Sequence, residues 1–275
     1  MRRLLSIISA AVALLALLAA VPLLWVSTHV ADEDGYVEFS STLARDSELQ
    51  GAFAAYLSDE LSTRGVLPAS LKDTATRALT GVSTRAANEA GFVDAWQETQ
   101  RRFHRSTFAE PPPRVLAVDV GPLASFVAER VSGNLPVTLR IPDELVVPVV
   151  SDAGDLKMVQ DVKDTTRFGT IAAVVALVGA IACLGFAHRR SAALAALGIG
   201  TVVVAGLLWL ASGPAAQRVL DETAAPSEFA RTLQKLLVDR ASESLTGWLV
   251  LLAAAGGIAA AVGFVGRAVT GRASS

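Results

Sequence analysis

The stretch FGTIAAVVALVGAIACLGFAHRRSAALAALGIGTVVVAGLLWLA, residues 168–211, consists of two uncharged apolar runs joined by the four residues HRRS. Each run has about 20 residues, which is the length at which an α-helix crosses the hydrocarbon core of a bilayer. Two further runs, residues 4–26 and 245–265, also lack acidic, basic and histidine side chains. The sequence therefore predicts four transmembrane helices, at residues 4–26, 168–187, 192–211 and 245–265.

The composition agrees with a membrane protein. Of 275 residues 52% are hydrophobic and 18% are charged, whereas a soluble domain has about 25% charged residues. The single cysteine, Cys183, excludes an internal disulfide, and the net charge of −2 argues against a strongly basic nucleic-acid-binding protein. The first apolar run is longer than the 7–15 residues or so of a signal peptide, so we expect an uncleaved anchor.

Basic residues predict the orientation of the four helices. Residues 1–3, 188–191 and 266–275 carry arginines and no carboxylate, while all 26 acidic residues lie in residues 27–167 and 212–244. Because basic loops stay in the cytoplasm, both termini are predicted to be cytoplasmic, in the plasma membrane. Trp25, Trp209 and Trp248 lie at the predicted outer ends of their helices, as expected for interfacial tryptophans. Residues 27–167 then form an extracytoplasmic helical domain, and residues 212–244 form a second outward loop with a helix.

Three amphipathic helices are predicted in the first part of the outward domain. The capping pairs Ser47/Gln50 and Ser70/Asp73 begin the first two, Gly65 ends the first, and Gly91 precedes the third. Their apolar stripes, which we expect to form the core, are Leu49, Phe53, Tyr56, Leu57 and Leu61; Leu71, Ala75, Ala78, Leu79 and Val82; and Phe92, Trp96, Thr99 and Phe103. The acidic residues 32–34 resemble a calcium loop, but Leu43 stands where its glutamate is required, so we expect a solvated turn.

Short β-strands are predicted in the second part of this domain. Residues 115–120 read as a strand, Gly121 and Pro122 open a helix, and residues 136–141 and 145–150 could pair into a ribbon. Residues 151–167 return to helix and continue into the second membrane span. The apolar residues of the smaller loop, on a helix expected to lie against the domain or the lipid interface, are Phe229, Leu233, Leu236 and Leu237.

The four spans and several short motifs resemble a family of uncharacterised actinobacterial integral membrane proteins with a helical extracytoplasmic domain. The residues that carry the resemblance are Asp34, Tyr36, Val37, Leu43, Ala44, Asp46 to Gln50, Ala95, Trp96, Arg101, His104, Leu116, Asp119, Ser151, Asp152, Leu156 and Gln160. The resemblance covers nearly the whole chain and implies a location in the cell envelope. It implies no activity, cofactor or catalytic residue.

No catalytic, cofactor-binding or metal-binding constellation is evident. The outward histidines are His29 and His104, the cysteine lies in a predicted span, and no phosphate-binding glycine loop occurs. Transport is disfavoured because the spans contain no ionisable group. We therefore expect a non-enzymatic protein that is mainly α-helical, with a four-helix transmembrane bundle and a mostly helical outward domain containing short β-strands.

Arg101, Arg102 and Arg105 form the candidate contact site for an anion or a partner. Arg101 and Arg105 share a helix face, where a lipid headgroup, an anionic polymer or another envelope protein could bind. The alternative is a solvated helix face in which these arginines pair with Glu98 or Asp94. The leading hypothesis is that the outward domain is an interaction or scaffold module. The alternatives are binding of a lipid or lipophilic ligand by that domain, and an envelope enzyme with an unrecognised carboxylate pair.

Small residues predict how the spans pack. Helices in lipid approach closely where both carry Gly or Ala, because lipid supplies no hydrophobic drive between them. The fourth span carries Ala253 with Gly257 and Gly256 with Ala260, the second Gly179 before Cys183, and the third Ala196 before Gly200. We expect these faces to meet within one chain, with a homodimer as the competing arrangement, and we expect Gly257→Leu to clash.

Overall fold

The computed structural model describes residues 1–65, 67–68, 70, 72–86, 89–110, 113, 115–132, 145–150, 153–222 and 225–272. In chain order its elements are α1 (Arg2–Val26), α2 (Glu33–Ser41), α3 (Ser47–Thr63), α4 (Lys72–Ala86), α5 (Ala90–Thr107), β1 (Leu116–Asp119), α6 (Gly121–Ser132), β2 (Val146–Val150), α7 (Ala153–Phe186), α8 (Arg190–Glu222) and α9 (Glu228–Arg272). A π-helical turn, Ser27–Ala31, follows α1, and a 3-10 turn, Thr42–Arg45, follows α2. The protein is mainly helical, as predicted.

The chain divides into two compact units. We call Met1–Ala31, Val162–Arg218 and Arg240–Ser275 the bundle unit, and Asp32–Asp161 with Val219–Asp239 the globular unit. The bundle unit contains α1 and most of α7, α8 and α9. The globular unit contains α2 to α6, β1 and β2, together with the first turns of α9.

Four helices are long and apolar enough to cross a membrane: α1, α7, α8 and α9. Exposed large apolar side chains occur along them, for example Leu177 at 63% and Leu251 at 72% exposure. Among the described residues, Val115 and Val146 are the exposed large apolar side chains that lie outside these helices and Met1. A soluble protein rarely exposes so much contiguous apolar surface, so the bundle is compatible with a multi-pass membrane protein.

Glycines set the close approaches inside the bundle unit. A Cβ on Gly179 of α7 would lie 3.1 Å from the Ser9 carbonyl oxygen of α1, and Gly200 of α8 is covered by Leu14. Gly256 of α9 lies against Gly198 and Thr201 of α8. The Gly256 face of the fourth span therefore packs within the chain as expected, against α8, whereas the nearest neighbours of Gly179 and Gly200 belong to α1, which the prediction did not include.

Gly257 does not take part in this packing, and the expectation that Gly257→Leu would clash within one chain is wrong. Nothing lies within 4 Å of a Cβ built on Gly257. Successive residues on a helix point about 100° apart, so Gly256 faces α8 while Gly257 faces outward. The sequence contains both glycines side by side and does not distinguish them.

The core of the globular unit is made by the predicted helical stripes. Leu49, Phe53, Leu57 and Leu61 of α3 are buried, as are Leu79 of α4 and Phe92 and Trp96 of α5. Gly65 ends α3 in the left-handed conformation, with φ of 73°, as its position predicted. Leu71 lies outside the described residues.

The helix caps differ from the prediction. Asp46, and not Ser47, caps α3, because its Oδ1 accepts hydrogen bonds from the backbone N–H groups of Glu48 and Leu49. Gln50 donates its side-chain amide to the Ala44 carbonyl oxygen. The expected turn at residues 32–35 is instead the start of α2, and Asp32 caps it by accepting from the Gly35 N–H.

β1 and β2 pair antiparallel, with Val118 opposite Val147. The prediction had paired residues 145–150 with 136–141, which lie outside the described residues. Leu116 and Val118 face the core, as the alternation of β1 predicted. The helix of the smaller loop is the start of α9, and its Phe229 and Leu233 are buried in the same core as Phe53.

Candidate functional site

The basic cluster of α5 lies opposite carboxylates of the same chain. Arg102 donates from Nε to Glu98 Oε1 at 3.0 Å and from Nη1 to Asp119 Oδ2 at 2.9 Å. The hydrogen bonds that Arg102 donates to Asp119 and, second, to Glu98 raise the pKa of Arg102 above its ordinary value. For Arg102 the structure therefore shows the alternative to an anion site, a pairing with Glu98, and adds Asp119 as a second partner.

Arg105 is held by a residue that the sequence analysis did not connect with it. Its Nη2 donates to Glu33 Oε1 at 2.8 Å and its Nε donates to Oε2 at 3.0 Å, which is a bidentate pair. This hydrogen bond from Arg105 lowers the pKa of Glu33 below its usual range. The guanidinium of Arg105 thus has a compensating charge before any external anion arrives.

The Glu33–Arg105 pair is one of several polar contacts between α2 and α5. Tyr36 Oη donates to Gln100 Oε1 at 2.9 Å, and Trp96 Nε1 donates to the Ser40 carbonyl oxygen at 3.0 Å. Burial raises the pKa of Tyr36. The partners ascend on α2 while they descend on α5, so the two helices run in opposite directions along one seam. His104, which is buried, packs its ring on Tyr36 at 5.6 Å.

Asp119, at the end of β1, joins three further elements. Besides Arg102 of α5, its carboxylate accepts from the backbone N–H of Gly121, where α6 begins, at 3.0 Å. It also accepts from the backbone N–H of Leu145, just before β2, at 3.3 Å. Arg102 and Asp119 therefore have a structural role, since their contacts link β1 to α5, to the start of α6 and to the residue before β2.

These contacts bear on the candidate contact site. Arg102 and Arg105 hold elements of the globular unit together, and Arg101 forms no salt bridge with any residue that the structure describes. A bound anion would have to compete with Glu33 and Asp119 for the charges of Arg105 and Arg102. The role of Arg101, Arg102 and Arg105 in binding an external partner stays a prediction, and the geometry favours a different surface.

That surface is a cleft of about 570 Å³ in the globular unit, between α3, α4 and the start of α9. We call it the charged cleft. Its lining residues are Ala52, Ala55, Tyr56, Asp59, Lys72, Asp73, Thr76, Pro226, Ser227, Glu228 and Phe229. Lys72 Nζ donates to Asp59 Oδ1 at 2.5 Å, so Asp73 and Glu228 leave the cleft with an excess of negative charge.

Local structure positions each part of the charged cleft. Tyr56 and Asp59 are one turn apart on α3, and Tyr56 packs its ring against the buried Phe229 at 5.9 Å. Burial, followed by the charge of Glu60, raises the pKa of Tyr56, so it stays a neutral phenol. Ser227 caps α9 by accepting from the Ala230 N–H, which fixes Glu228 in the first helical turn.

The charged cleft can bind a cation but shows no metal centre. Among the described residues, no three His, Cys, Asp or Glu side chains lie close enough together to hold a metal ion. A cleft lined by an aromatic ring and by carboxylates suits the ammonium or guanidinium group of another molecule. The charged cleft could not be predicted from the sequence because its third wall, residues 226–229, lies about 150 residues after the walls that α3 and α4 supply.

Comparison of the chain with protein-family models, with curated proteins and with solved structures gives no match.

Proposed function

We propose that this is a non-enzymatic membrane protein of the cell envelope whose globular unit is an interaction module. The four apolar helices would anchor it in the plasma membrane with both termini in the cytoplasm. The globular unit would then lie outside, as the distribution of basic residues and tryptophans predicts. The partner we propose is another envelope protein that offers a basic segment.

The observation that carries this proposal is the charged cleft. In the core of the globular unit, described side chains such as Leu57 and Leu123 are closely packed and essentially inaccessible. The cleft is open, holds more carboxylates than cations, and has the aromatic ring of Tyr56 in its wall. Such a surface attracts a cationic side chain and orients it against an aromatic face, which is how many interface anchors are recognised.

Photocrosslinking in intact cells tests this proposal. A photoreactive phenylalanine at Ala55, which is exposed and lines the charged cleft, should form one dominant protein adduct. The same residue at the exposed Ser125 of α6, away from the cleft, is the matched control and should not form that adduct. An adduct that appears equally from both positions would contradict a docking site in the cleft.

Charge neutralisation makes the test specific. The double change Asp73→Asn with Glu228→Gln should weaken the adduct from position 55 several-fold, because it removes the uncompensated charge of the cleft. The double change Asp94→Asn with Glu129→Gln removes the same charge from exposed positions elsewhere on the globular unit. Equal losses in the two double variants would show that the net charge, rather than the cleft, governs binding.

A further inference from the structure

A second cleft lies in the bundle unit, between the start of α1, the end of α7 and the start of α8. Its volume is about 550 Å³, and we call it the basic-end cleft. Its wall is made of small apolar side chains, chiefly Ala10, Ala187, Ala192, Ala193 and Ala196. Its mouth carries Arg3, His188 and Arg189.

The charges at this mouth are not compensated. No acidic residue lines the cleft, and the segments 1–3 and 188–191 contain none. Neither Arg3 nor Arg189 forms a salt bridge within the described residues, in contrast to Arg102 and Arg105 of the globular unit. Two guanidinium groups therefore stand at the mouth of the basic-end cleft, and no carboxylate in the part of the chain that the structure describes pairs with them.

The basic-end cleft is long enough for the phosphate group, the glycerol and the first acyl carbons of a phospholipid. Arg3 and Ala10, which both line it, are seven residues apart on α1, or about 10 Å along the helix axis. A hydrogen bond links the helices midway along this length, since Ser6 Oγ donates to the Cys183 carbonyl oxygen at 3.1 Å. Polar atoms at one end and alanine methyl groups along the rest match a phosphate group followed by its glycerol and first acyl carbons.

We propose that the basic-end cleft binds one anionic phospholipid. Its phosphate oxygens accept charge-assisted hydrogen bonds from Arg3 and Arg189. Its proximal acyl chain lies along the alanine wall between α1 and α8. Basic pockets between transmembrane helices are a known form of recognition for acidic headgroups. The inference depends on the bundle being in a membrane and is independent of the charged cleft.

The test uses the full chain in a neutral detergent, titrated with phosphatidylglycerol or with phosphatidylcholine of the same acyl chains. Native mass spectrometry counts the lipids that remain bound. The wild-type protein should retain one phosphatidylglycerol at a concentration well below that needed for phosphatidylcholine. Since each arginine contributes about a fivefold preference, Arg3→Gln with Arg189→Gln should reduce retention of the anionic lipid about 30-fold.

Arg2 and Arg190 provide the matched control, because they are neighbours of the two proposed ligands but do not line the cleft. The double variant Arg2→Gln with Arg190→Gln has the same net charge and should keep the preference for phosphatidylglycerol. Equal loss in both double variants would overturn the proposal, since it would indicate general attraction to positive charge. The thermal midpoints of both variants show whether each bundle remains folded.

A third arm separates a lipid from free phosphate. Ala196 is exposed and lines the cleft, so Ala196→Phe should fill the slot and reduce lipid retention. Ile199→Phe, on an exposed position of α8 outside the cleft, is its control and should have no effect. If millimolar inorganic phosphate displaces the lipid while Ala196→Phe changes nothing, the site binds phosphate alone and the proposal fails.

Discussion

Gly198 of α8 and Gly256 of α9 leave each other no room for a side chain. A Cβ on Gly198 would lie 2.5 Å from the Gly256 carbonyl oxygen, and a Cβ on Gly256 would lie 2.8 Å from the Gly198 carbonyl oxygen. A Cβ atom does not come so close to a backbone oxygen in a folded protein, so both positions depend on the absence of a side chain. The contact between α8 and α9 is therefore set by two backbones.

Gly256→Leu should lower the stability of the bundle by at least the 1–3 kcal/mol or so that overpacking costs, because the two backbones must separate. Gly257→Leu, one residue later, meets open space and should be nearly neutral. Thermal unfolding of the purified protein in detergent measures both. A lower midpoint for Gly257→Leu than for Gly256→Leu would show that α9 is rotated away from the face described above.

Trp96→Ala should make the globular unit sensitive to protease. The indole is 2% exposed, and removal of a buried aromatic costs about 3–5 kcal/mol, a large share of the stability of a domain. The rate of limited proteolysis provides the measurement. Val115→Ala, which trims an exposed apolar side chain, is the control and should digest at the wild-type rate. Unchanged digestion of Trp96→Ala would contradict the buried position of Trp96.

Tyr36→Phe should destabilise the globular unit by about 1–3 kcal/mol, because Gln100 Oε1 loses its donor inside the core. Gln100 Nε2 has no hydrogen-bond partner in the part of the chain that the structure describes. Adding Gln100→Met to Tyr36→Phe should therefore recover most of the loss, since both polar partners are then replaced by apolar groups. Chemical denaturation of the single and double variants checks this, and additive losses would contradict it.

The Glu33–Arg105 pair should make stability depend on pH in the acid range. Because the pKa of Glu33 is lowered by folding, the unfolded state binds the proton more readily, and stability falls as the pH drops. The contribution is complete above the unfolded pKa of about 4.3 and is lost as the pH falls through the folded value. Melting temperatures between pH 7 and pH 3 measure this dependence.

Glu33→Gln should flatten the acid part of that pH profile. Glu38→Gln is the matched control, because Glu38 is exposed on the same helix and forms no salt bridge with a described residue. The melting temperatures of the two variants should differ near neutral pH and become equal in acid. Identical profiles would mean that the Glu33–Arg105 contact contributes nothing to folding.

Asp119→Ala should cost about 2–4 kcal/mol, because it leaves the Gly121 and Leu145 N–H groups and Arg102 without their common acceptor. Asp119→Asn retains one acceptor oxygen for the two backbone groups and should cost less. A double-mutant cycle with Arg102→Gln isolates the ion pair. Full additivity in that cycle would show that Arg102 and Asp119 do not interact.

Local pattern accounts for much of what the sequence predicted correctly. The four apolar helices follow from uncharged runs of bilayer length, and the core faces of α3, α4 and α5 follow from their helical periodicity. Run length and periodicity are both properties of a single element, so they can be recognised without knowing what that element packs against.

Apart from the cap of α3, the failures concern choices that depend on distant residues. Ser47 and Asp46 are both good caps, and one turn of backbone geometry decides between them. Residues 145–150 had a plausible neighbour in 136–141, but β2 pairs with β1, which lies earlier in the chain. Glu33 is 72 residues from Arg105, so no spacing rule could have connected them. The charged cleft was missed for the same reason.

The position of Phe229 and Leu233 in the core has a consequence for biosynthesis. The globular unit cannot complete its interior until the ribosome has passed residue 239, after the second and third apolar helices have been made. At about 5–20 residues per second, the roughly 90 residues after Val150 take about 5–20 s to synthesise. During that interval Phe53 and its neighbours lack the ring that covers them. The nascent chain is therefore most vulnerable to proteases and most dependent on chaperones in this interval, which ends when residues 219–239 join the core of the globular unit.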